Sequence, residues 1–361
     1  MTIEEFDKNL ALQTVKETDV EWHCIDEDEF STFGLQFSEE ENIFVRMPQS
    51  VSKDVSAGVH HLSRMNTGGR IRFATDSPYI AVRCEQIPFW PTNTMCTATT
   101  HGFALYANDV YRGMYAPDQK YIYQAIEEKN SSFMFDGIRR NLGENKKECA
   151  LFFPLFGGVR KLYIGIRKGS RLWQAKPYLQ TKKVVFYGSS ITHGAAASHA
   201  GNDYAAMLSR KLDFDYVNLG FSGNAKGEPV MAEYLASLNA DILVMEYDYN
   251  ALCAKELAEK HLPFYQAFRA RSPKTSVIFL SKPDFEYDEE SAKRRDTVKA
   301  TYKWALERGD DVYFIDGQRL FGRVWRDCCT QDTCHPNDLG FYRMAKSIEP
   351  ILKKLFKKDK K

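Results

Sequence analysis

The chain has 361 residues, of which 43% are hydrophobic and 27% charged, an ordinary globular composition and a length that suits two domains. Its 49 basic side chains nearly balance 48 acidic ones, so the charge gives no sign of a nucleic-acid partner. No run approaches the ~18 apolar residues that cross a bilayer, and the acidic start Met1–Asp7 lacks the apolar segment of a secretory signal. A soluble, cytoplasmic protein with no membrane partner is expected.

Up to about residue 178 the pattern is one of short β-runs broken by polar turns. Ile43–Arg46, Arg70–Ala74, Tyr79–Cys84 and Lys161–Ile166 are examples, and Asn66–Gly69 is a turn between two of them. Several alternate polar and apolar residues, as a half-solvated antiparallel sheet requires. Residues 1–178 are therefore expected to form a β-sandwich or jelly roll.

From 179 to 361 the rhythm becomes strand–helix alternation. Val184–Gly188, Tyr216–Leu219, Asp241–Glu246, Ser276–Leu280 and Val312–Ile315 are expected as buried strands. Helical patterns fall near 203–213, 229–238, 252–271, 287–308 and 338–357. This is an α/β reading: a parallel sheet covered by helices on both faces. Ligand sites in such sheets lie at the carboxyl ends of the strands.

Gly188-Ser189-Ser190 sits at one such end. Serine is a weak nucleophile until a neighbouring base takes its proton. A hydroxyl presented where a strand turns into a helix, with its own N–H facing a developing oxyanion, suits acyl transfer. Far downstream, Asp332-Thr333-Cys334-His335-Pro336 places a carboxylate three residues before an imidazole, at the mouth of the last helix. His335 is the candidate general base and Asp332 the group that orients it. The loop Asn218–Asn224 can aim the Gly223 N–H, and Tyr247–Ala251 carries the Asn250 amide. With the Ser190 N–H these make a three-point oxyanion hole. Taken singly, Ser190 also reads as a helix cap, Gly223 and Asn250 as turn residues, and His335 as a solvated loop residue.

In that chain order, Ser190, Gly223, Asn250 and His335 resemble the four defining residues of the SGNH/GDSL hydrolases. Gly188-Ser189-Ser190-Ile191-Thr192 is similar to the family's Gly-Asp-Ser block, with Ser189 replacing the Asp. The alignment of that block makes Ser190, not Ser189, the nucleophile. Asp332–Pro336 is similar to the family's Asp-x-x-His-Pro, while the third block keeps only Asn250. Gly102-Phe103-Ala104-Leu105-Tyr106 and Gly68–Ser77 resemble the Gly-x-Asp-Leu-Tyr domain that precedes one branch of these enzymes, with Ala104 replacing the Asp. The resemblance implies a flavodoxin-like three-layer domain behind a β-rich one. It implies a serine esterase with no metal or cofactor, acting on short-chain esters of a carbohydrate or another small molecule. Transfer of the acyl group to another alcohol would use the same residues. A binding protein built on a retired hydrolase is the rival from another class.

Weaker signals complete the reading. His193, Tyr249 and Trp90, the last within Phe89-Trp90-Pro91, are candidate pocket residues. Arg294 and Arg295 are expected on a solvated helix face. The eight cysteines contain no CxxC pair, so free thiols are expected, and Cys328, Cys329 and Cys334 beside His335 fit no common zinc spacing. The basic stretch Lys353–Lys361 is read as a helix end and tail. Nothing in the sequence sets an oligomeric state.

Overall fold

The computed structural model describes residues 3–90, 92–283 and 288–358. In chain order, the β-rich half contributes β1 (Val20–Cys24), β2 (Ser31–Phe33), β3 (Gln36–Ser38), β4 (Ile43–Val45), β5 (Arg70–Thr75), β6 (Ile80–Ile87), β7 (Phe103–Ala107), β8 (Val110–Tyr115), β9 (Phe133–Arg139), β10 (Lys147–Phe152), β11 (Gly158–Arg167) and β12 (Leu172–Trp173). One antiparallel sheet runs β1-β11-β6-β9, and the other runs β12-β5-β10-β7-β8 with β2 on β5. Their inner faces share one core that includes Ile71, Phe73, Val82, Leu105, Leu151 and Ile164, all of them fully buried. This is the expected sandwich. Two short helices that the β-rhythm did not suggest, α1 (Gln49–Val55) and α2 (Ala57–Ser63), lie between β4 and β5.

The second half builds a parallel sheet from β13 (Gln180–Gly188), β14 (Phe214–Gly220), β15 (Ile242–Glu246), β16 (Ser276–Leu280) and β17 (Val312–Ile315). Its order is β14-β13-β15-β16-β17, the flavodoxin-like arrangement, with every pair parallel. The five strands match the apolar runs expected from sequence because both faces are covered. Of the helices, α3 (Ser190–His193) follows β13 directly. Next come α4 (Tyr204–Leu212), α5 (Pro229–Ser237), α6 (Ala254–Arg271), α7 (Glu289–Glu307) and α8 (Asp338–Lys357). Helix α4 packs on α8, whereas α5, α6 and α7 pack on one another in series, which gives the three layers. No described helix is long and apolar enough to cross a membrane.

The halves meet through buried polar groups. Arg46, after β4, is 3% exposed and donates to four carbonyls: Met65 (2.7 Å) and Leu62 (2.6 Å) in its own half, Asn218 (3.1 Å) and Gly220 (2.7 Å) in the other. Burial pulls its guanidinium down to about 9. Arg70 donates to the Tyr216 carbonyl at 3.2 Å and pairs with Asp215. Thr67 donates to the His193 carbonyl at 2.7 Å, and Thr99 to that of Ala197 at 2.7 Å. The sandwich therefore grips the loops that leave β13 and β14.

Candidate active site

Three carboxyl ends, those of β13, β14 and β15, and the loop before α8 supply the site. Ser189 caps α3: its Oγ accepts from the Ile191 N–H at 3.1 Å. Gly188 is required there, because a Cβ would lie 2.1 Å from Thr192 Oγ1 and 2.2 Å from the Glu246 carbonyl. The tight turn leaves Ser190 as the first residue of α3, where a backbone N–H has no intrahelical acceptor.

The Ser190 hydroxyl lies 2.8 Å from His335 Nε2. On the other side of the ring, Nδ1 lies 2.7 Å from Asp332 Oδ2. This places Ser190, His335 and Asp332 in one hydrogen-bonded chain. Asp332 Oδ1 also accepts the N–H of His335 at 2.7 Å and that of Cys334 at 3.1 Å. Partial burial pushes the Asp332 carboxyl up, but these donors and the ring outweigh it and hold the group below its ordinary value. Oδ1 thus fixes the loop while Oδ2 orients the imidazole. Asn337 then caps α8, accepting from the N–H groups of Leu339 and Gly340.

Gly223 takes a left-handed φ of +69° and has open space where a side chain would point. Asn250 closes a 3-10 turn, Asp248–Asn250, and its Nδ2 donates to the Phe221 carbonyl at 3.1 Å. That bond ties the amide to the loop that carries Gly223. Among the described residues neither the Ser190 nor the Gly223 N–H makes a hydrogen bond. Both are available to an oxyanion.

The remaining candidates are scattered. His193 is a correction: it is fully buried, not in the pocket. Its Nε2 donates to the Leu155 carbonyl at 2.8 Å, and its ring stacks on Phe156 at 4.2 Å. Burial, helped by the charge of Arg46, holds its pKa well below the usual histidine value, so it is a neutral pin between the halves. Trp90 is exposed and its ring lies 5.9 Å from Tyr123, on the sandwich; Pro91 lies outside the described residues. Tyr249 is exposed beside Asn250. Arg294 is a second correction. It is buried rather than solvated, because its Nη1 donates to the carbonyls of Asp248 (2.9 Å) and Ala251 (2.8 Å). Arg295 is largely covered too and lies 3.5 Å from the Asp296 carboxylate. Among the described residues no group of three His, Cys, Asp or Glu side chains is placed to hold a metal, and the eight cysteines are free thiols.

Sequence reasoning missed Glu246. This carboxyl is fully buried at the end of β15 and accepts from Ser189 Oγ (2.9 Å), Ser189 N (3.3 Å) and Thr192 Oγ1 (2.8 Å). Burial, reinforced by the nearby Asp248 charge, pushes it up to about 8 against the pull of those donors. Ser189, standing where the motif it resembles has Asp, is thus bonded to a carboxyl from the neighbouring strand. An acidic residue ending an otherwise apolar strand was the available signal.

Residues 181–353 match the GDSL-like Lipase/Acylhydrolase family, and residues 20–172 match the N-terminus of SGNH-hydrolase-type esterases. The chain thus carries a domain of the GDSL-like lipase/acylhydrolase family behind the N-terminal domain of SGNH-hydrolase-type esterases. Members of that family are carboxylic-ester hydrolases. The GDSL-type fold here superposes on a GDSL-like lipase from Bacteroides ovatus with a TM-score of 0.79, at 26% identity, covering 94% of this chain and 98% of that one. A salicylyl-acyltransferase from a tetracycline biosynthetic pathway, SsfX3, gives 0.73 at 18% identity, with 94% and 98% covered. A family two carbohydrate esterase from Clostridium thermocellum gives 0.63 at 14% identity, with 90% and 98% covered. These last two likenesses are of fold. No curated protein matches the sequence.

Proposed function

We propose that this GDSL-type chain is a serine esterase that removes short acyl groups from a carbohydrate or a similar small alcohol. Residues 1–178 would serve as a supporting β-domain and 179–361 as the catalytic one. The observation that carries the reading is the chain from Ser190 Oγ through His335 (2.8 Å) to Asp332 (2.7 Å) at the carboxyl edge of a parallel sheet.

In this reading His335 Nε2 takes the Ser190 proton as Oγ attacks the ester carbonyl carbon. The carbonyl oxygen becomes an oxyanion held by the N–H groups of Ser190 and Gly223 and by the Asn250 amide. The tetrahedral intermediate expels the alcohol, which receives its proton from His335, and leaves an acyl-serine. Water then attacks the acyl carbon with His335 again as base. The acid departs and Ser190 regains its proton. Asp332 keeps Nδ1 protonated throughout and offsets the charge of the imidazolium.

The carbohydrate preference rests on similarity to carbohydrate esterases, one of them an acetyl xylan esterase from Butyrivibrio proteoclasticus. The second reading, transfer of the acyl group to another alcohol, is favoured by the likeness to the salicylyl-acyltransferase. Hydrolysis of p-nitrophenyl esters from acetate to octanoate, by wild type and Ser190→Ala, tests the proposal. Turnover that falls with chain length and vanishes in the variant supports it. Turnover that persists in Ser190→Ala sinks it. Added alcohol that diverts the acyl group into a new ester, at the expense of free acid, would favour transfer.

A further inference from the structure

Beside Asn250 the protein holds two buried cationic side chains with no carboxylate in contact among the described residues. Lys282, just past β16, is 9% exposed, and Arg294 on α7 is 8% exposed. The Lys282 ammonium sits 4.1 Å from the Tyr249 ring centre, and the Arg294 guanidinium carbon sits 5.5 Å from it. Among the described residues neither side chain has a carboxylate oxygen within 4.0 Å. Arg294 spends Nη1 on the carbonyls of Asp248 and Ala251, which secures the turn that carries Asn250. The Lys282 ammonium makes no hydrogen bond among the described residues, and the ring of Tyr249 is its one partner there.

The described acidic groups nearby are held mainly by other donors, and Asp288 feels the Lys282 charge without contacting it. The Asp248 carboxylate accepts the backbone N–H of Lys282, at 3.1 Å to each oxygen. Asp288 caps α7 through the Ser291 N–H and hydroxyl, and Glu290 accepts the Ala254 N–H. Glu246 is turned toward Ser189 and Thr192. A mostly buried ammonium with no carboxylate in contact among the described residues gains from a ligand that supplies a negative charge. Its place is also specific. Tyr249 directly precedes the oxyanion residue Asn250, and the charge of Lys282 reaches Cys334, which directly precedes His335. The cation lies between residues that flank two members of the site.

We infer that Lys282, backed by Arg294 and walled by Tyr249, is a subsite for a negatively charged group on the ester substrate. The group would be a carboxylate, sulfate or phosphate close to the scissile carbonyl. A charge-assisted bond there would favour the anionic ester over its neutral counterpart. The inference rests on the esterase reading and narrows its substrate class to anionic esters.

Two matched pairs locate the charge. p-Nitrophenyl hemisuccinate against p-nitrophenyl butyrate places it on the acyl side. 4-Acetoxybenzoate against methyl 4-acetoxybenzoate places it on the alcohol side. Wild type should prefer the anionic member of at least one pair by about tenfold in kcat/KM. That ratio should shrink with added salt, fall toward one in Lys282→Gln, and persist in Lys282→Arg. Ratios near one in wild type, or a preference that Lys282→Gln leaves intact, overturn the inference. If neutral esters are still hydrolysed in a Ser190-dependent way, the esterase reading survives that failure. If no ester is turned over, calorimetry decides alone, with succinate against succinamide and 4-hydroxybenzoate against its methyl ester. Tighter binding of one anion that Lys282→Gln abolishes supports the subsite, and equal binding within both pairs overturns it.

Discussion

Arg46, from the β-rich half, donates Nη1 to the Gly220 carbonyl at 2.7 Å, three residues before Gly223. The same nitrogen bonds the Asn218 carbonyl, and the guanidinium carbon lies 4.6 Å from the Phe221 ring centre. Phe221 in turn accepts the Asn250 amide. One side chain of the sandwich thus braces both proposed oxyanion donors outside α3. Arg46→Met leaves four buried carbonyls short of a donor, so it should cost about 3 kcal/mol or more of stability. In the protein that still folds, kcat should fall by about tenfold or more while KM changes little, since the loop supports the transition state. Thermal melts and steady-state kinetics on p-nitrophenyl acetate check both effects.

The Glu246 carboxyl gives stability a pH dependence whose sign is opposite to that of a salt-bridged acid. Its pKa is raised to about 8 in the folded protein from an ordinary 4.5. Below the ordinary value the group is protonated in both folded and unfolded chains, and its burial is least costly. Between the two values the folded state binds the extra proton, so stability falls as pH rises, by about 1.4 kcal/mol per unit at most. Glu246→Gln cannot ionise and keeps an acceptor for Ser189 and Thr192. Urea midpoints at pH 6 and pH 9 should therefore differ less in the variant than in wild type. An unchanged difference would show that Glu246 does not titrate in this window.

Much of this architecture was legible because its signals are local. Five apolar runs of strand length became five parallel strands, and Asp332 and His335, three residues apart, did meet. Signals that depend on distant partners were not legible. His193 looked like a pocket residue from its place near Ser190, but Leu155 and Phe156 of the other half enclose it. Arg294 sits in a highly charged helix and looked solvated. It is buried because the turn after β15 offers two carbonyls to its guanidinium. Arg46 carried no motif, since its partners lie 172 and 174 residues away.

The Asn250 amide should matter to the rate more than to substrate binding. Asn250→Ala removes one oxyanion donor and its tie to Phe221. Loss of one such donor commonly costs 10²–10³ in kcat, or about 3–4 kcal/mol. We expect kcat on p-nitrophenyl acetate to drop by about that factor, with a modest change in KM. An effect confined to KM would assign Asn250 to substrate binding instead.

Asp332→Asn tests the orienting carboxylate without emptying its place. The amide oxygen can still accept the backbone N–H groups of His335 and Cys334, so the loop should keep its shape. Facing Nδ1, however, an amide no longer supplies the negative charge that holds the ring proton there and offsets the imidazolium. The proton can then move to Nε2, the atom that must accept from Ser190. The equivalent change in a Ser-His-Asp protease costs about 10⁴ in kcat. A loss of about 10³–10⁴ is expected here, with melting little changed at neutral pH because Asp332 is partly exposed and its pair is screened. Wild-type stability should also weaken at strongly acidic pH. The lowered Asp332 pKa contributes stability above its unfolded value, which is lost as pH falls through the folded one. Steady-state kinetics at pH 7.5 and melts from pH 7 down to pH 3 test both points. A loss of under tenfold in Asp332→Asn would mean that His335 is oriented by something other than this carboxylate.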